Sequence, residues 1–104
     1  MRKDFIKHYK LFIDTWGLDS QLFMCIEEMS ELTKELCKYK RYHDEKIIEN
    51  IREELADVFN CVEQLSYYFG FDEVQKIREY KINRAINHII NNAPYKDNNN
   101  TYGE

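Results

Sequence analysis

Residues that make turns are scarce in this chain. Glycine occurs 3 times and proline once in 104 residues, which argues against a turn-rich β fold and leaves long helices as the natural use of the sequence. The 3 cysteines, Cys25, Cys37 and Cys61, are odd in number and lack C-x-x-C spacing. A disulfide scaffold or a zinc knuckle is therefore not expected, and the three read as reduced residues within helices. No apolar run approaches the roughly 20 residues that span a bilayer. The first residues carry Arg2, Lys3, Asp4, Lys7 and Lys10, unlike a secretory leader, so a cytoplasmic protein without membrane contact is expected. A basic stripe is also missing. With 15 Lys and Arg against 19 Asp and Glu, a net charge of -4 and a pI near 5.4, no nucleic-acid partner is expected. An acidic protein handles a polyphosphate only if cations bridge the charges.

What remains is 43% apolar and 33% charged residues, a globular mixture sized for one domain. The expected fold is all-α, with four helices and no internal repeat. The first runs from about Asp4 to Asp14, with Phe5, Tyr9 and Phe12 on one side, and stops near Trp16-Gly17. The second starts at an N-cap, Asp19 or Ser20, and reaches Arg41 with Leu22, Ile26, Met29, Leu32 and Leu36 as its apolar stripe. The third follows a Tyr42-His43-Asp44 turn, carries Ile47, Ile51, Leu55, Val58, Val62, Leu65 and Phe69, and ends at Gly70. The fourth opens near Asp72, runs through Val74, Ile77, Ile82, Ala85 and Ile89, and ends before Pro94. Residues 1–92 make the domain, and 93–104 are expected to be a disordered tail. Several long helices in so short a chain form a flat array whose apolar faces stay wet in a monomer, so a homo-oligomer is expected.

Acidic pairs three residues apart share a helix face, and the helical part of the chain holds two: Glu28 with Glu31, and Glu54 with Asp57. If the second and third helices form an antiparallel hairpin, residues whose numbers total about 85 lie level across it. Glu28 then faces Asp57 and Glu31 faces Glu54, halfway along. At 100° per residue, Glu54 falls within about 60° of the centre of its own stripe, between Ile51, Val58 and Cys61. Glu53 and Glu27 point away. Carboxylates aimed into a helix interface repel one another unless a cation sits among them. All-oxygen donors that leave room for water suit Mg²⁺, or Mn²⁺, better than a closed calcium cage. A plainer alternative pairs the four acids with Lys34, Lys38, Arg52 or Lys81 as surface salt bridges.

Other chemistries find less support. A ferritin-like di-iron site needs Glu-x-x-His on two helices, and none occurs; His8, His43 and His88 lie far apart. There is no Gly-rich phosphate loop and no local nucleophile motif. Any phosphate handling must come through metal.

The sequence Glu27-Glu28-Met29-Ser30-Glu31 followed by Glu54-Leu55-Ala56-Asp57 resembles the E-E-x-x-E and E-x-x-D signature of the MazG-like, all-α nucleoside triphosphate pyrophosphatases. The likeness extends to Trp16-Gly17-x-x-x-Gln21 before the first motif and Lys81-x-x-Arg84 after the second, covering about Trp16 to Ile89. The resemblance implies a four-helix domain with a central antiparallel hairpin, assembled as a dimer or tetramer. It also implies Mg²⁺-dependent hydrolysis of a nucleoside triphosphate between the α- and β-phosphates. Glu28, Glu31, Glu54 and Asp57 match the metal-ligand and catalytic positions, with Glu27 or Glu31 as a possible general base. Lys81, Arg84, Gln21 and Trp16 are the implied substrate contacts. Many family members have Asn four residues after the Lys; here position 85 is alanine, a departure from the pattern. A non-catalytic helical interaction module with structural carboxylates is the alternative of a different class.

Overall fold

A computed structural model describes residues 2–92, with side chains from Phe5 onward. The expected tail, 93–104, lies outside the described residues. Four helices follow one another: α1 (Arg2–Trp16), α2 (Leu18–Tyr42), α3 (Glu45–Phe69) and α4 (Phe71–Asn91). No strand occurs among the described residues. The chain divides into two compact units at Gly70; the first contains α1 to α3, and α4 belongs to the second.

The breaks between helices are as short as the scarcity of turn residues suggests. Gly17 alone separates α1 from α2. Its amide donates to the Ile13 carbonyl at 2.8 Å, and its own carbonyl accepts from Gln21 N at 3.2 Å, so one residue ends one helix and begins the next. Its φ of 87° and ψ of 151° suit a residue without a Cβ. This corrects the expected N-cap: Gly17 takes that position and no side chain caps α2, while Asp19 and Ser20 lie within the first turn. At the other end His43 adopts the left-handed conformation, φ 49°, and donates its amide to Tyr39 O. Asp44 then caps α3, its Oδ1 accepting from Lys46 N at 2.9 Å. Gly70, φ 118°, occupies the position expected of it after α3.

In the first unit, α2 and α3 form the hairpin and α1 packs on both of them. Two side-chain hydrogen bonds fix its register. Gln64 Nε2 donates to Gln21 Oε1 at 2.9 Å, and Asn50 Nδ2 donates to Glu35 Oε1 at 3.3 Å. Both pairs obey the level rule by which Glu28 faces Asp57. The core is thin: among the described apolar residues only Tyr9, Cys25 and Ile47 are buried. The expected stripes are split. Leu22 and Leu32 of α2 are half-buried, whereas Ile26, Met29 and Leu36 stay exposed. On α3, Leu55, Val62 and Phe69 of the expected stripe are exposed, and Phe59, which lies outside it, is exposed by 71%. No residue of α4 is buried. One helix packed on a two-helix hairpin cannot enclose stripes this wide, so much of the apolar surface that periodicity assigned to a core faces outward.

Candidate functional site

Halfway along the hairpin, Glu28 of α2 meets Glu54 and Asp57 of α3. Each offers one carboxylate oxygen, and these atoms lie within 4.8 Å of one another. Two helices supply them because Glu54 and Asp57 share a face three residues apart and Glu28 lies level with Asp57. Glu28 and Glu54 are half-buried and Asp57 is exposed, so the group is open on one side.

The electrostatics are those of crowded like charges. Burial holds the Glu28 carboxyl above its ordinary value, and the charges of Asp57 and Glu54 push it further in the same direction. Hydrogen bonding from its protonated form to Glu54 and Asp57 adds to the shift. Glu54 Oε1 is buried without any hydrogen-bond donor, an arrangement that costs free energy unless something positive meets that oxygen. Among the described residues no ion pair reaches Glu28, Glu31, Glu54 or Asp57. Among the ion pairs that form are Lys10–Asp14, Lys38–Glu35 and Lys46–Glu49, so Lys38 turns to Glu35 rather than to the acid set. An all-oxygen donor set from three carboxylates, one of which also has a buried unpartnered oxygen, fits a hard divalent cation.

Glu31 is exposed and is not among the oxygens that converge. Three of the four sequence-predicted acids are thus brought together, with the fourth one turn away at the rim. Of the expected substrate contacts, Gln21 is buried and bonded to Gln64, yet its Nε2 has no acceptor. Trp16 is 56% exposed, with its ring stacked on Phe12 at 5.3 Å. Both line a groove of about 460 Å³ between α1 and the hairpin. Lys81 and Arg84 belong to α4 in the second unit, where both are exposed, and the Arg84 guanidinium lies 5.6 Å from the Tyr80 ring centroid.

Sequence reasoning missed the α3 side of the groove, which Asn60, Cys61 and Gln64 provide, and His8 on its α1 side. The level rule applied to Gln21 would have found Gln64. Cys61 joins the groove to the acids: burial, the neighbouring Cys25 thiol, and the charges of Glu28 and Asp57 together push its thiol up to about 11. It is a neutral thiol at physiological pH.

No protein-family model, no curated protein and no solved structure matches the chain.

Proposed function

We propose that the chain is a Mg²⁺-dependent nucleoside triphosphate pyrophosphohydrolase, cleaving between the α- and β-phosphates to release a monophosphate and pyrophosphate, and that it works as a homo-oligomer. The observation that carries this reading is the convergence of Glu28, Glu54 and Asp57 oxygens within 4.8 Å, with one Glu54 carboxylate oxygen buried and lacking a partner. The signature Glu27 to Glu31 and Glu54 to Asp57, which resembles that of the MazG-like enzymes, gives the substrate class.

Glu28, Glu54 and Asp57 would hold Mg²⁺, with Mn²⁺ as a substitute. When bound, such an ion offsets polyphosphate charge and lowers the pKa of water. The chain's own residues do the rest. Glu54 and Asp57, fixed three apart on one helix face, define where the triphosphate is gripped. Glu31, exposed one turn beyond Glu28, accepts the proton of the water that attacks the α-phosphorus as the bond to the bridging oxygen breaks and pyrophosphate leaves. The apolar faces left open on α2 and α3 support self-association.

The test is pyrophosphate release from canonical, deoxy and modified nucleoside triphosphates with Mg²⁺, with Glu54→Ala alongside. Release by the wild type and loss of about 100-fold or more in the variant is expected. The exposed Phe59 and Ile26 faces favour one second reading, a helical interaction module. Silence across the panel, together with no divalent-dependent rise in melting temperature, would select it.

A further inference from the structure

Two sulfurs face each other across the hairpin, beside the carboxylates. Cys25 of α2 is 3% exposed. Cys61 of α3 is half-buried and lines the groove against α1. Their meeting follows from the register. Cys25 stands four residues after Gln21 and three before Glu28, while Cys61 stands three before Gln64 and four after Asp57. Steps of three and four keep a residue on one helix face. The cysteines therefore occupy the turn between two contacts that cross the hairpin, Gln21 with Gln64 at 2.9 Å and Glu28 beside Asp57. The Cys61 thiol donates a hydrogen bond to the Cys25 sulfur.

The third cysteine is placed differently. Cys37 is exposed and lies further along α2, a rise of about 18 Å from Cys25. Ile48, not a cysteine, is level with it across the hairpin. A disulfide needs its two α-carbons within about 7 Å, so Cys37 has no partner within the folded chain. A small apolar residue would pack as well as a thiol at Cys25 or Cys61, and what the facing pair adds is the capacity to form a bond.

We propose that Cys25 and Cys61 are a modification site for low-molecular-weight disulfides, of which oxidised glutathione is the simplest probe, and that they close to a reversible bond clasping α2 to α3 one turn from the carboxylates. The inference stands apart from the pyrophosphohydrolase reading. The Cys61 thiolate, reached from the groove, attacks one sulfur of the oxidant and forms a mixed disulfide as the first small thiol leaves. Cys25 then loses its proton and attacks the Cys61 sulfur, so that the protein bond forms and the second small thiol leaves. Two electrons pass from the protein dithiol to the oxidant, which departs as two thiols. The Cys61 thiol, pushed up to about 11, forms little thiolate and attacks slowly. For the same reason it is a slow leaving group once bonded.

The experiment incubates the full chain with mixtures of oxidised and reduced glutathione, blocks the remaining thiols with N-ethylmaleimide in denaturant, and maps the products by mass spectrometry. The expected product is a Cys25–Cys61 link within one chain, with Cys37 carrying glutathione or maleimide. The linked chain should melt about 10 °C above the reduced one, because the bond restricts the unfolded state, and dithiothreitol should reverse the rise. Cys25→Ser, which keeps the entry thiol, should hold glutathione on Cys61 and show no such rise. A lasting glutathione adduct on Cys61 of the wild type would overturn the proposal. So would recovery of Cys25 and Cys61 both as maleimide adducts under conditions that modify Cys37, or a link that joins two copies. A linked chain that melts no higher than the reduced one would show that the bond forms only by straining the hairpin, which overturns the clasp.

Discussion

Glu28 is the residue whose ionisation should report on the site. Its carboxyl is held above the ordinary value of 4.5, first by burial and then by Asp57 and Glu54. The folded chain therefore binds the Glu28 proton more tightly than the unfolded chain does. Between the ordinary value and the raised native one, the native state carries more protons, so stability without divalent ions falls as pH rises through that window and then levels off. A cation competes with the proton. We expect Mg²⁺ or Mn²⁺ to raise the melting temperature only above the window and to have no effect below it. Glu28→Gln should flatten this pH slope and abolish the divalent shift. Melting temperature against pH, with and without Mg²⁺, measures both. An unaltered slope in the variant would show that Glu28 is not the titrating group.

At the scale of the helix, boundaries depend on single residues. Gly17 has a backbone conformation that L-residues rarely adopt, and a Cβ there would meet nothing within 4 Å, so a substitution is opposed by backbone strain alone. Gly17→Ala should cost about 1–3 kcal/mol, and Asp44→Ala about 1 kcal/mol through loss of the α3 cap. Urea unfolding monitored by circular dichroism would measure both, and a neutral Gly17→Ala would mean that α1 and α2 are not held at this angle in solution. Helix positions and the hairpin register were legible beforehand because periodicity and a level rule depend only on helix geometry. The four acids were legible for the same reason; the helical wheel sets Glu31 one step further from the apolar stripe than Glu28, but a wheel position does not say whether a long side chain turns in to join the others. Glu35 was missed altogether. It is a buried carboxylate bonded to Asn50 and Lys38, yet a glutamate on an amphipathic helix reads as a solvated one. Gln64 was missed because neutral amides carry no periodicity signal of their own.

The described residues enclose less than the composition promises. A protein with 43% apolar residues would ordinarily bury a contiguous cluster of them, yet the described core is Tyr9, Cys25 and Ile47. Leu55, Phe59 and Val62 recur along α3 at the spacing of a helix seam and are all exposed. We expect light scattering after gel filtration to give a multiple of 12.7 kDa, and the melting temperature to rise with protein concentration. Phe59→Glu should shift the species toward monomer and lower the melting temperature. A monomer at micromolar concentration in the wild type would rule self-association out. No helix among the described residues is long and apolar enough to cross a membrane, so these faces do not form a bilayer span. The polar contacts across the hairpin recur at equal steps: Gln21 with Gln64, then Glu28 beside Asp57, then Glu35 with Asn50. Three carboxylates that repel one another cannot hold their own positions. Here they sit at the midpoint of a span clasped at both ends, so their spacing is interpolated from two attractive contacts rather than set by any attraction of their own.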